Sequence, residues 1–162
     1  MVYRIATALA AAGTVLLAAA ATTGPAAASA AGYHSSPAAG GATVSLAAIS
    51  GIPGKALVGS GGRTLYLFQA DKNGASACTG ACAAAWPPDT VTGTPQAGSG
   101  VSQSQLGTIT RADGTMQLTY NDHPLYYFTA DAAAGTAHGQ GVKAFGAEWY
   151  VVNASGSKID TS

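Results

Sequence analysis

Apolar residues of this chain fall in short runs separated by Gly, Pro, Asn and Asp, a pattern typical of β-strands joined by turns. One run, residues 65–68 (Leu-Tyr-Leu-Phe), is followed by Gln-Ala-Asp, and a similar run at 125–128 (Leu-Tyr-Tyr-Phe) is followed by Thr-Ala-Asp. The two segments lie 60 residues apart and agree at five of seven positions. The chain therefore contains an internal duplication.

Each copy is predicted to be the second strand of a β-hairpin. Strand-like stretches at 55–58 and 116–120 precede the copies, with a Gly-rich turn before the first and an Asn-Asp-His turn before the second. A further hairpin is indicated by β-rich residues on either side of Asp113-Gly114, a dipeptide favoured in tight hairpin turns. Residues 149–152 (Trp-Tyr-Val-Val) predict a late strand.

The first copy is apolar on both faces. Because neighbouring side chains of a strand point to opposite sides, Leu65 and Leu67 share one face, and Tyr66 and Phe68 share the other. This pattern predicts a central strand that is covered on both sides.

We therefore expect a mainly β fold, a compact antiparallel β domain made of two pseudo-symmetric hairpin repeats. One short helical turn is predicted near 79–86, where an Ala-rich stretch is ended by two prolines. The single β domain is predicted to span 43–162, with repeat one at about 43–88, a linker loop at 89–105 and repeat two at about 106–153.

Residues 1–30 have the features of a cleavable signal peptide: Arg4, an uncharged apolar run and small residues at candidate cleavage positions. There is no twin Arg, which favours the general secretion route, and residues 31–42 are predicted to be a flexible spacer. A permanent membrane anchor is the alternative. We expect no transmembrane span in the mature protein, and release rather than lipid anchoring because no Cys follows the leader.

The formal net charge is zero and only 9% of residues are charged. This composition argues against nucleic acid as a partner, because no basic patch is present to neutralise phosphates. The sequence also lacks a Gly-x-Ser-x-Gly elbow, a phosphate-binding loop, a dinucleotide fingerprint and a His-Glu-x-x-His pair. A non-enzymatic role is therefore favoured over catalysis, and the partner is unknown.

The repeated motif resembles that of a bacterial family of secreted proteins and lipoproteins. The resemblance rests on Tyr66, Phe68 and Asp71, on the same three residue types at Tyr126, Phe128 and Asp131, and on the Cys pair and Trp-Pro-Pro sequence of the first copy. That family is defined by a Tyr-x-(Phe/Trp/Tyr)-x-x-Asp motif and has no assigned function. The resemblance implies export and a repeat architecture, with the cell envelope as a candidate location, but no activity.

Cys78 and Cys82 are the two cysteines of the chain. An even number of cysteines in an exported protein favours a structural disulfide, and a redox-active or metal-binding pair is the alternative. His138 follows Asp131 by seven residues, as Cys78 follows Asp71. If the halves face each other, the cysteines, His138 and His123 form a candidate Cu or Zn site; otherwise no cofactor is expected.

Asp71 begins an Asp-Lys-Asn-Gly sequence typical of a type I turn, in which the carboxylate accepts backbone N–H groups. The alternative is that Asp71 and Asp131 act as an acid–base pair or as cation ligands. The repeated aromatic residues are predicted to be core rather than a ligand platform. Tyr120 and Tyr127 are the aromatic residues predicted to be exposed.

Taken together, the sequence favours a secreted, non-enzymatic module with a binding or structural role outside the cell or in the cell envelope. The alternative is an extracellular redox or metal-handling protein that uses the pair Cys78 and Cys82.

Overall fold

The computed structural model describes residues 43–161. The predicted signal peptide at 1–30 and spacer at 31–42 lie outside these residues. Among the described residues, no helix has the length and apolar character needed to cross a membrane. The elements in chain order are β1 (Thr43–Ala48), β2 (Lys55–Val58), β3 (Tyr66–Phe68), α1 (Ala81–Ala85), β4 (Gln96–Ala97), β5 (Leu106–Thr110), β6 (Met116–Tyr120), β7 (His123–Pro124), β8 (Lys143–Ala144) and β9 (Ala147–Val151).

The mainly β prediction is confirmed, and the strands of the described chain form three small sheets. Their strand orders are β2-β1-β4, β3-β9-β8 and β5-β6-β7. Neighbouring strands are antiparallel except β4, which runs parallel to β1. The predicted helical turn is present as α1, and the residue after it is Trp86, followed by Pro87.

The hairpin predicted at Asp113-Gly114 is also present and joins β5 to β6. Gly114 has φ +82°, which an L-residue rarely adopts, and the N–H of Arg111 donates to the carbonyl of Thr115 at 2.8 Å. The carboxylate of Asp113 accepts the Thr115 N–H and so closes the turn.

The predicted hairpins are present next to their turns, because β6 pairs with β7 in repeat two and Val58 pairs with Thr64 in repeat one. The expectation that the pairing continues along 66–68 is wrong. The Leu65 N–H does donate to Leu57, but β3 pairs with β9 and β2 pairs with β1. Both faces of β3 are covered by hydrophobic clusters, with Tyr66 and Phe68 in one and Leu67 in the other. β3 therefore lies inside the fold, where its in-plane partner comes from a distant part of the chain. In repeat two the equivalent strand region lies beside Pro87 and Pro88.

The two repeats meet at Tyr66 and Tyr126. Each residue donates its backbone N–H to the carbonyl of the other, at 2.9 and 3.0 Å. The pseudo-twofold axis of the duplication therefore passes between these two residues. Residues 86–89 lie beside 126–128 in the same way that residues 149–152 lie beside β3.

Two hydrophobic clusters lie on opposite sides of this junction. Tyr66 and Phe68 pack into one and Leu65 and Leu67 into the other, which confirms the predicted division of faces. The predicted linker loop at 89–105 packs against the repeats, because it contributes β4 and the buried residue Val91.

Candidate functional site

The tyrosine and aspartate of the repeated motif bond across the two repeats. The Tyr66 hydroxyl donates to Oδ2 of Asp131 at 2.5 Å, and the Tyr126 hydroxyl donates to Oδ2 of Asp71 at 2.8 Å. Burial raises the pKa of both phenols, so both remain neutral donors at ordinary pH. The motif therefore completes its hydrogen bonds only when both copies are folded together.

The second oxygen of each carboxylate closes a loop. Oδ1 of Asp71 accepts the Ala77 N–H at 2.7 Å, and Oδ1 of Asp131 accepts the His138 N–H at 2.8 Å. Burial raises the pKa of Asp71, and the Ala77 N–H and Tyr126 hydroxyl oppose that rise. Each carboxylate thus has a structural role in its own loop and in the other repeat.

The expected type I turn starting at Asp71 is wrong. Asn73 and Gly74 both have positive φ, at 54° and 69°, and Lys72 pairs with Ala75 around them. An Asn-Gly pair with two positive φ angles is typical of a type I′ hairpin turn, which begins one residue later.

The Phe and Trp residues of the repeats form one continuous stack. Trp86 and Trp149 lie 3.9 Å apart with 4° between their planes. Phe68 stacks on Trp149 and Phe128 stacks on Trp86, both at 4.1 Å. Each Phe therefore stacks on the Trp of the other repeat. Tyr66 packs edge-on against Trp86, and Tyr126 against Trp149 in the same way.

Cys78 and Cys82 form a disulfide with a Cα–Cα distance of 5.2 Å, as predicted. Both residues are buried, and the Cys78 carbonyl accepts a hydrogen bond from Nη2 of Arg111 at 2.7 Å. The disulfide therefore anchors the segment between the Asn73-Gly74 turn and α1. We call residues 74–82 the disulfide segment.

The structure does not bring the candidate metal ligands together. Within residues 43–161, no group of three His, Cys, Asp or Glu side chains is placed to hold a metal ion. The expected match of His138 with Cys78 is shifted by one residue, because the N–H bound by the motif carboxylate belongs to Ala77 in repeat one. His138 Nδ1 lies 2.9 Å from Asp131, whereas His123 lies beside Asp71 and Asp122 in a shallow cleft.

The prediction that Tyr120 and Tyr127 are exposed is wrong, because both are buried. The Tyr120 hydroxyl donates to the Ala154 carbonyl, and the Tyr127 hydroxyl accepts the Ser60 N–H. Each hydroxyl finds backbone partners in a neighbouring loop, and these partners allow the ring to be buried.

Sequence reasoning missed the buried carboxylate of Asp89, which is 4% exposed. Its Oδ2 has no hydrogen-bond partner among the described residues. Desolvation raises the pKa of Asp89 to about 6, although Tyr127 and Arg63 act in the opposite direction. The Arg63 guanidinium lies over the Tyr127 ring at 4.6 Å, so the cation is near the carboxylate.

A second feature missed by sequence reasoning is an open cleft of about 550 Å³ between the disulfide segment and the β5–β6 hairpin. We call it the disulfide cleft. Its charged lining residues are Arg111 and Asp113. Nη1 of Arg111 donates to Ser76 and Gln117, and its Nη2 donates to Cys78. A sequence signal was available, since Arg111 is an isolated cation beside a hairpin turn. The lining residues are Gly74, Ala75, Ser76, Thr79, Ile109, Thr110, Arg111, Ala112 and Asp113.

Comparison with known proteins agrees with the duplicated architecture. A family model described as a secreted repeat of unknown function matches the chain twice, at residues 48–89 and 107–153. No similar protein was found among curated sequences or solved structures. The two matches cover more than half of the chain and end where the repeats end in the fold. The chain therefore belongs to the family of secreted repeats of unknown function.

Proposed function

We propose that this protein is a non-enzymatic extracellular binding module in which the repeated motif builds the scaffold and the disulfide cleft receives the ligand. The observation that carries the proposal is the use of the motif side chains. The tyrosines and aspartates bond each other across the repeats, and the phenylalanines stack on the partner tryptophans. Ligand binding is left to surfaces outside the motif.

The disulfide cleft suits recognition better than catalysis. Its volume of about 550 Å³ is within the range of ligand sites in proteins. The Ser76 hydroxyl is held by Tyr126 and Arg111, so it lacks the neighbouring base that a nucleophile needs. The remaining lining side chains offer hydroxyl groups, apolar surface, the guanidinium of Arg111 and the carboxylate of Asp113.

The proposed setting is the outside of the cell, reached by the general secretion route, with the cell envelope as the source of ligands. The signal-like sequence at 1–30 and the family description support export. Envelope association is proposed because an exported module whose role is binding acts through the ligand that it binds.

Co-sedimentation of the purified mature protein with washed envelopes of the producing strain tests the proposal. Thr79 is exposed at the cleft, so Thr79→Trp fills the cleft without disturbing the core. We expect this variant to lose binding at least tenfold. The matched control is Phe145→Ser, which changes an exposed apolar residue away from the cleft lining. Equal binding by wild type and Thr79→Trp, or no binding by wild type, would contradict the proposal.

A further inference from the structure

We propose that the outer edge of β5 binds an extended peptide, which adds a parallel strand and places its side chains in the disulfide cleft. This inference rests on the proposed function and names the ligand class of the same site. Peptides that bind by strand addition obtain affinity from main-chain hydrogen bonds and specificity from alternate side chains.

The backbone of β5 has unused hydrogen-bonding groups on the side away from β6. In the antiparallel register, Arg111 bonds to Thr115, and the hydrogen-bonded pairs continue at Ile109 and Gly107. Thr108 and Thr110 therefore direct their N–H and C=O groups away from β6. No described residue bonds to these groups, so the edge is open to another strand.

The equivalent edge in repeat one is occupied by another strand. β1 is the counterpart of β5, since it pairs with β2 as β5 pairs with β6. The outer edge of β1 is covered by β4, which runs parallel to it. Leu46 N–H donates to Ser99, and Gly98 N–H donates to Val44. The same edge is thus filled from within the chain in repeat one and left open in repeat two.

The open edge also lacks the usual protection against pairing. Natural proteins blunt exposed edges with Lys, Pro, bulges or covering segments. β5 has the sequence Leu-Gly-Thr-Ile-Thr, without a charged residue or proline. Its five residues extend about 17 Å at the usual strand rise, enough for an occupant of four or five residues.

The cleft specifies the chemistry of the occupant. Arg111 directly follows β5, and strand alternation places it on the same face as Ile109. Both residues line the cleft. A guanidinium has five N–H groups, and Arg111 uses three in its bonds to Ser76, Gln117 and Cys78. Its Nε is buried, so one N–H of Nη2 is left for a ligand. A strand parallel to β5 therefore presents first an apolar residue to Ile109 and then, two residues later, a carboxylate to Arg111. The carboxylate belongs to Asp, Glu or the peptide C-terminus.

The test begins with selection of a phage-displayed random heptapeptide library on the mature protein, followed by synthesis of the enriched peptides. We expect an apolar residue two positions before an acidic residue or a C-terminal carboxylate. Thr108→Pro removes an outward N–H without removing a bond to β6, and it should weaken peptide binding at least tenfold. Thr108→Val keeps that N–H and should bind as wild type does.

N-methylation of the peptide backbone provides a second test that does not depend on folding of a variant. Methylating alternate amides should abolish binding when the methylated N–H faces β5. Binding that withstands both N-methylation registers, or a library without enriched sequences, would overturn strand addition. A wild-type dimer that Thr108→Pro converts to a monomer would assign the edge to a second copy instead. Envelope binding that is lost in Thr79→Trp but kept in Thr108→Pro would leave the proposed function intact and reject this inference alone.

Discussion

The hydroxyl of Tyr66 donates to the carboxylate of Asp131, 65 residues later in the chain. The reciprocal bond joins Tyr126 to Asp71 across 55 residues. Each repeat therefore supplies a hydrogen-bond donor to the motif carboxylate of the other. This exchange makes the repeated motif an interlock between two halves, and it accounts for the occurrence of the motif as a pair in this chain.

Removing one hydroxyl of the interlock should destabilise the whole domain. Asp131 is 1% exposed, so Tyr66→Phe leaves a buried carboxylate short of one donor. We expect the free energy of unfolding to fall by about 1–3 kcal/mol, measured by urea denaturation. Tyr150→Phe is the matched control, because its hydroxyl bonds to Glu148 at the surface. A Tyr66→Phe value no larger than that of the control would argue against the interlock.

Reduction of the disulfide should have a modest effect on stability. Cys78 and Cys82 close a loop of about five residues, which corresponds to about 2 kcal/mol in the chain-entropy model. The double variant Cys78→Ser/Cys82→Ser should therefore melt at a lower temperature than wild type but still fold. Melting curves of wild type with and without reductant check this, and the double variant should no longer respond to reductant. Unfolding on reduction at 25 °C would assign the disulfide a much larger role.

Replacing Asp89 should stabilise the protein at neutral pH. Its folded pKa of about 6 lies above the ordinary value of 3.8. Stability from this group is therefore fully present below pH 4 and is lost as the pH rises through 6. The difference corresponds to a cost of about 3 kcal/mol at pH 7.

We expect Asp89→Asn to recover part of that cost and to flatten the stability profile between pH 4 and 6. Chemical denaturation across this range measures the effect. Asp113→Asn serves as the comparison, because Asp113 is exposed and its pKa is lowered instead, mainly by Thr115. A profile for Asp89→Asn that parallels wild type would show that Asp89 is ionised without penalty.

Local features of the fold were predictable because their causes are local. The hairpin at Asp113-Gly114 follows from the turn preference of that dipeptide. The placement of Leu65 and Tyr66 in different hydrophobic clusters follows from the alternation of side chains along a strand. The pairing of β3 with β9 was not predictable, because short apolar strands do not identify a partner that lies more than 80 residues away. The apolar residues on both faces predicted a central strand covered on both sides, but they do not identify its partner.

The same distinction between local and distant causes applies to the candidate site. The motif residues were identified from the duplication, but the exchange of partners between Tyr66 and Tyr126 depends on how the repeats pack. The sequence predicts exposure of Tyr127 because it replaces Leu67 in the second repeat, and of Tyr120 because it lies nearby. Their burial depends on backbone partners in distant loops. Asp89 carries no sequence signal, since a single Asp after two prolines is usual in an exposed loop.

Fragment complementation tests the interlock most directly. The chain is divided between Gly100 and Val101, so that each fragment keeps one repeat and β4 stays with β1. The account predicts that fragments 43–100 and 101–161 are each unfolded alone by NMR and circular dichroism. On mixing, the two should restore the native spectrum and the stacking of Trp86 on Trp149. A dispersed, native-like spectrum from either fragment alone would contradict the claim that the two motif copies fold as one unit.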